Sequence, residues 1–375
     1  MGKTYKLAII PGDGIGKEIV PQAIKVLNKV SELYSFNFEY LDISGGAQYY
    51  LETGREWDEG SFEICRDEAD AILLGAVGWP GASLPDGNIA GAGIVFGLRF
   101  GLDLYANVRP TKLYPGIKHK IHGNLKQVWE EGLVDLVTIR ENTEGLYTPI
   151  RGSLNRGGVE EVAIDTRIIT EKGSKRVINF AFNLAMRRDG APKDKQKRVT
   201  CVDKSNVLQG DRLFRKIYNS IAKNYPAIAT DYAYIDAYLQ WLIRDPDYFD
   251  VIVTSNMFGD ISSDLAAVLG GSLGMAPSGN IGDNHALFES VHGSAPKHAG
   301  LNKANPIATI LSAGMMLDYL GLKYNDTKFI EASKSVETAV TKLLLDSKTL
   351  TYDLGGTASC SDVGDAVTKF ISNSD

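Results

Sequence analysis

Cysteine is scarce: Cys65, Cys201 and Cys360 are the only three in 375 residues, far apart and without CxxC spacing. That excludes a disulfide framework and a zinc site built on thiolates. No uninterrupted apolar run of about 18 residues occurs, and the nearest, residues 304–317, is broken by Asn305, Pro306 and Ser312, so no membrane span is expected. The N-terminus runs straight into a strand pattern without a signal-peptide layout, which predicts a cytoplasmic protein. Excess positive charge is also missing. At a net charge of -6 the chain has no general attraction for nucleic acid or anionic membrane, so neither is an expected partner and each basic residue must be weighed singly. Glycine is abundant instead, with 39 residues concentrated around 75–97 and 270–282, which points to sharp turns and close approach of backbone to ligand.

Hydrophobic spacing predicts an α/β protein. Residues 5–10 read as a buried strand, 11–16 as a glycine-rich turn, and 17–34 as a helix with Ile19, Ala23, Leu27, Val30 and Tyr34 on one face. Further buried-strand runs at 71–74, 134–139, 199–202 and 251–254 alternate with helical patterns at 174–186 and 211–223, which argues for a largely parallel sheet. Residues 161–170 alternate like a half-exposed antiparallel strand, the mark of a local hairpin or arm. Long amphipathic patterns at 327–345 and 362–371 predict two more helices. The opening turn does not make an ordinary Rossmann fold: GxGxxG spacing would need a glycine where Lys17 stands.

The strongest chemical signal is NMFGDISSD at 256–264, directly after the strand pattern 251–254. A helix starting near Gly259 sets Asp260 and Asp264 at i, i+4 on one face. Two carboxylates that close repel unless a cation lies between them, and a hard dication with oxygen ligands, Mg²⁺ or Mn²⁺, suits the pair. The competing reading is a dipole-favoured Asp260 and a solvated Asp264. Arg99, Arg109 and Arg140 follow strand or helix patterns, and a guanidinium fork matches a carboxylate, although a single arginine more often forms a surface ion pair.

With these motifs in hand, the chain resembles the β-decarboxylating dehydrogenases that act on isocitrate, isopropylmalate, homoisocitrate and tartrate or malate. The likeness runs from about residue 7 to 354 and rests on IPGDGIG (10–16), DLYANVRP (103–110), RENTEGLY (140–147), NMFGDISSD (256–264), GMAPSGNI (274–281), HGSAP (292–296) and ANP (304–306). It implies an isopropylmalate dehydrogenase-like two-lobe fold, with residues 1–104 plus 270–375 in a cofactor-binding lobe and 105–269 in a second lobe. The second lobe would form a homodimer with shared active sites, and the cleft between lobes would hold substrate, metal and cofactor.

The resemblance implies metal ligands at Asp260 and Asp264, with Asp236 donated by the other subunit. It implies Lys204 as the base that reaches the partner's site, Tyr147 as the acid that protonates the enol carbon, and Arg99, Arg109 and Arg140 as clamps on substrate carboxylates. Around the dinucleotide it places Ile15, Glu289, His292, Gly293, Ala295 and Asn305. Members using NAD carry an acid after HGSAP, where this chain has Lys297 and His298. A cation there suits a 2'-phosphate. Tyr352 also matches NADP-using members, whereas Gly356 replaces their arginine and DLGG at 353–356 resembles the NAD-using isopropylmalate branch. NADP is therefore expected ahead of NAD.

Substrate choice turns on residues 91–98. Isocitrate enzymes hold the third carboxylate with Ser and Asn where this chain has Gly93 and Val95, and Val95 with Phe96 resembles the apolar pair that receives an isopropyl group. A buried, unpaired carboxylate is costly. The acid expected near Ala92 in isopropylmalate enzymes is absent. The expected reaction is oxidative decarboxylation of a 3-substituted malate, best named as 3-isopropylmalate, with isocitrate, homoisocitrate and tartrate or D-malate as alternatives. Residues 80–90, rich in Gly and Pro, are expected to form a mobile loop over this pocket. A non-catalytic regulatory subunit of the same fold is disfavoured because Tyr147, Lys204, Asp236, Asp260 and Asp264 are all present.

Overall fold

A computed structural model describes residues 3–372. The chain divides into two compact units, one of residues 1–104, 113–132 and 267–375 and one of 105–112 and 133–266.

In the first unit five strands lie in the order Pro277–Ile281, Ala286–Ser290, Ala71–Ala76, Thr4–Gly12 and Asn37–Asp42. The last four are mutually parallel, and Pro277–Ile281 pairs antiparallel at the end of the row. The helix Gly16–Tyr34 buries Ile19, Ala23, Leu27, Val30 and Tyr34, the face that the spacing picks out. Ile307–Tyr324 is buried nearly all round, while Thr327–Asp346 and Cys360–Phe370 each bury one stripe. A capping box between Ser359 and Asp362 starts the last helix.

The segment 113–132 packs with this first unit rather than with the second, where its sequence position alone would put it. Its contacts explain why. The His119 ring Nε2 meets the Leu269 carbonyl at 2.9 Å. The side chain of Ile117 fills the space beside Gly271, and that of Leu125 the space beside Gly355.

In the second unit the order is Ala229–Tyr234, Arg198–Asp203, Val251–Thr254, Asp135–Glu141 and Ala106–Lys112. The first four are parallel and Ala106–Lys112 is antiparallel to its neighbour. Short strands such as Val251–Thr254 are buried along their whole length, as expected of a sheet covered on both faces. The alternating segment forms a hairpin of Arg151–Arg156 and Val159–Asp165, but every residue of it is exposed, not half of them. Among the described residues nothing covers either face. Beyond Asp165 the chain leaves the ladder, and Thr170 caps the helix Glu171–Arg187.

The three cysteines are free and buried, and burial pushes the thiols of Cys65 and Cys360 up to about 12. They are inert structural residues. Among the described residues no helix is long and apolar enough to cross a membrane.

Candidate active site

In the second unit the candidate residues stand at the carboxyl ends of its parallel strands. Arg140 lies near the end of Asp135–Glu141, and Lys204 follows Arg198–Asp203. Asp236 opens the helix after Ala229–Tyr234, and the acidic motif follows Val251–Thr254. In a parallel sheet these ends are where loops diverge and helix N-termini gather, which leaves polar side chains free to converge.

The helix of the acidic motif begins at Asn256, one turn earlier than the expected start near Gly259. Asn256 is what brings it forward: its side chain is spent outside the helix, accepting from Arg140 Nε at 2.9 Å and donating to the Glu144 carbonyl at 2.8 Å. Asp260 and Asp264 keep their shared face. Asp260 is the hub, taking Arg140 Nη1, Arg109 Nη2 at 3.3 Å and the Tyr147 hydroxyl at 3.1 Å. Arg109 Nη1 also reaches Asp264 at 3.2 Å and Ser263 Oγ at 2.8 Å, and Arg109 Nε donates to Asn107 at 2.7 Å. Gly259 admits this packing, because a Cβ there would come within 2.6 Å of Arg140 Cβ.

The electrostatics follow from this geometry. Burial raises the Asp264 carboxyl above its usual range; Arg109 opposes the rise and the charge of Asp260 adds to it. Burial also raises the Tyr147 phenol, helped by the charge of Asp260 and by the hydrogen bond to it, so the phenol holds its proton. Arg140 is almost wholly buried, at 2% side-chain exposure, whereas Asp264 is 60% exposed. One end of the cluster is therefore fixed and the other is open to solvent.

Lys204 and Asp236 make a second cluster. Adjacent strands pair Asp203 with Tyr234, so the residues just beyond them meet, and Lys204 Nζ lies 2.6 Å from Asp236. The ammonium holds the Asp236 carboxyl below its ordinary range. Among the described residues no three His, Cys, Asp or Glu side chains come together as a metal site. Asp260 and Asp264 form a pair of hard oxygen donors, and Asp236 stands with Lys204 instead.

In the first unit a cavity of about 390 Å³ is lined by Ile15, His292, Gly293, Ala295, His298, Asn305 and Tyr352. These are seven of the nine residues expected around a dinucleotide. Burial lowers the His292 imidazole below its usual value, which keeps it neutral. His292 Nε2 and His298 Nδ1 are buried with no hydrogen-bond partner among the described residues, as two groups awaiting a polar ligand would be. His298 packs against the Tyr352 ring, with centroids 5.5 Å apart.

Lys297 and Glu289 are not among the lining residues. Lys297 is exposed next to His298, and Glu289 accepts from Arg99 at 3.0 Å and from Asn280 at 2.8 Å. The helix Ala92–Gly101 holds Val95, Phe96 and Arg99. Val95 leans on the apolar core, while Phe96 is exposed and stacked on Phe100, since neighbouring helix positions do not share a face. Residues 83–89 are closed by an antiparallel bridge between Ser83 and Ile89.

Several residues escape a reading of the sequence. Asn107 is two positions before Arg109 on one strand face, a legible signal. Ser263, Lys303 and Asp353 are not legible in that way. Lys303 Nζ stands 5.4 Å from the centre of the Tyr352 ring. Asp353 lines the cavity and collects hydrogen bonds from Ser272, Asn305 and Thr351. Gly356 has a packing reason, because a Cβ there would stand 2.0 Å from the Leu350 carbonyl oxygen.

Residues 6–367 match the family described as isocitrate/isopropylmalate dehydrogenase. A Methanocaldococcus jannaschii protein named 3-isopropylmalate/3-methylmalate dehydrogenase is 43% identical over 98% of this chain and 99% of its own. A 3-isopropylmalate dehydrogenase of Bifidobacterium longum is 44% identical over 91% of this chain and 93% of its own. Among solved structures, an isocitrate dehydrogenase from Methylococcus capsulatus superposes with a TM-score of 0.84 at 34% identity, covering 98% and 99% of the two chains. The motifs, the two units and these likenesses agree: the chain belongs to the isocitrate/isopropylmalate dehydrogenase family of decarboxylating dehydrogenases.

Proposed function

We propose that the protein oxidises and decarboxylates a 3-substituted malate, 3-isopropylmalate first among them, with NADP preferred to NAD and Mg²⁺ or Mn²⁺ required. The observation that carries the reading is the hub at Asp260, where two arginines, a proton-holding tyrosine and a second carboxylate meet. Asp260 and Asp264 would hold the cation, whose chemistry when bound is to polarise the substrate oxygen and stabilise the electron pair released with CO₂. Arg109 and Arg140 then turn from the aspartates to the substrate carboxylates. Lys204, as the free amine, would accept the hydroxyl proton and Tyr147 would deliver a proton to the carbon that loses CO₂, while a bound nicotinamide dinucleotide would supply the hydride acceptor.

The same reading makes the protein a homodimer. Lys204 and Asp236 are paired with each other rather than with Asp260 and Asp264, which suits delivery of both to a second copy's site. The exposed hairpin supports this. Leu154, Val159, Val162 and Ile164 are all at least 42% exposed, and a two-stranded hairpin is marginal in water without a partner surface.

A substrate panel of 3-isopropylmalate, isocitrate, homoisocitrate, D-malate and tartrate, each with NAD and NADP at saturating Mn²⁺, tests the reading. Turnover is expected to be highest with 3-isopropylmalate. Isocitrate is the second reading, favoured by the likeness to the Methylococcus enzyme. Activity confined to isocitrate would overturn the preference for an apolar side group.

The cofactor preference rests on His298 and Tyr352 in the cavity lining, on Lys303 over the Tyr352 ring and on exposed Lys297 next to His298 in the chain. Lys297→Asp is expected to lower the NADP/NAD ratio of kcat/KM by about tenfold, the scale of one charge-assisted hydrogen bond. An unmoved ratio would show that this ammonium does not meet the ribose phosphate and would leave the role to His298.

A further inference from the structure

The helix Ala92–Gly101 starts from a residue that cannot cap it. Gly91, at φ 87, has no side chain, and the free amides of the first turn are taken by a carboxylate from elsewhere. Glu56 Oε1 accepts from the Gly91 amide at 2.6 Å and from the Gly93 amide at 3.1 Å. The segment that carries Glu56 runs along the helix. Trp57 packs on the apolar cluster that includes Ile94 and Leu98, and the Phe62 ring fills the space beside Gly101. Glu56 is thus held at both sides of its backbone and is half-buried.

The carboxylate does more than satisfy amides. A Cβ on Gly93 would stand 2.2 Å from Glu56 Oε2, so any side chain at 93 must first displace the charge. The glycine at the position where isocitrate enzymes carry serine is, in this fold, a consequence of Glu56. The helix end, normally a ready receptor for an anion, is filled by the protein's own anion. Asp58, Glu59 and Glu63 line an open recess of about 490 Å³ with it, where Arg55 pairs with Glu59 and the balance of charge stays negative.

We infer that Glu56 is a specificity-determining residue: by occupying the amides of Gly91 and Gly93 and the space a side chain at 93 would take, its carboxylate disfavours a substrate carboxylate at this helix end and favours an uncharged substituent. The inference rests on the proposed oxidation of a 3-substituted malate, in which the resemblance assigns substrate contacts to this helix. Glu56 acts through the helix end and through its charge, not through the reacting atoms.

The test compares the full-length wild type with Glu56→Gln, Glu56→Ala, Gly93→Ser and the Glu56→Ala/Gly93→Ser pair, each assayed with isocitrate and 3-isopropylmalate at saturating Mn²⁺ and NADP. Glu56→Gln keeps an oxygen for the amides and removes the charge. It is expected to raise the isocitrate/isopropylmalate ratio of kcat/KM by about threefold, with a melting temperature close to the wild type, and Glu56→Ala, which also frees the amides, by about tenfold or more through a lower KM for isocitrate. Gly93→Ser alone is expected to lower the melting temperature, and Glu56→Ala in the same chain to relieve that loss and raise isocitrate turnover further. A ratio within twofold of the wild type in folded Glu56→Ala, or in the Glu56→Ala/Gly93→Ser pair should the first not fold, overturns the inference while leaving the proposed reaction standing. A wild type that turns over no substituted malate overturns both.

Discussion

Asp260→Asn is expected to lower kcat/KM by roughly 10³-fold, the equivalent of about 4 kcal/mol of lost transition-state stabilisation, and to raise the Mn²⁺ concentration needed for half-activity. Asparagine is nearly isosteric, so the helix Asn256–Leu269 is retained, but the charge that would anchor a dication is gone. The substitution also leaves the guanidinium of Arg140, 2% exposed, without its carboxylate. Arg140 keeps Asn256 as an acceptor, and Arg109 keeps Asn107, Ser263 and Asp264, so the stability cost is expected at about 1–3 kcal/mol rather than at the level of a fully orphaned buried charge. Thermal unfolding followed by circular dichroism separates the two effects. Wild-type activity with an unmoved Mn²⁺ midpoint would take Asp260 out of the ligand set.

Lys204→Met and Tyr147→Phe, each inactive alone, are expected to recover activity when the two proteins are unfolded, mixed and refolded together. Single variants should lose about 10²–10⁴-fold in kcat, the usual worth of a positioned acid or base. In a mixed dimer one site combines Tyr147 of the first protomer with Lys204 of the second, and both are intact. With random pairing half the dimers are mixed and each has one working site, so the mixture should return about a quarter of wild-type activity. No recovery, in a mixture shown by tagging to contain mixed dimers, would mean that Lys204 and Tyr147 serve the same chain. Lys204, 2.6 Å from Asp236, would then act in the site of its own chain.

These two experiments bear on different parts of the chemistry. The first asks whether Asp260 is an electrostatic hub, which its contacts within the second unit already make it. The second asks whether one chain is sufficient. In the proposed homodimer, the pair of carboxylates and the lysine-aspartate pair held apart from it would each complete a different one of the two sites. The phenol of Tyr147, kept protonated by burial and by the charge of Asp260, is suited to give a proton rather than to take one. That assigns the base role to a residue elsewhere, and Lys204 is the one the reading names.

What the sequence determined alone is what depends on local spacing. Ile19, Ala23, Leu27, Val30 and Tyr34 mark one buried helix face, Val251–Thr254 marks a covered strand, and Asp260 and Asp264 share a face whatever the helix start. Periods of 3.6 and 2 are properties of the backbone and need no tertiary partner. Tertiary structure decided what depends on residues far apart in the chain. Segment 113–132 joins the first unit because Gly271 and Gly355 leave room for Ile117 and Leu125. The helix of the acidic motif starts at Asn256 because Arg140, 116 positions away, holds its side chain. Lys303 rather than Lys297 lies over Tyr352, and Glu56 fills the helix end that Gly91 leaves bare. Each of these is a contact whose partner is fixed by packing and charge, and no local pattern encodes the distance between two residues until the chain has closed around them.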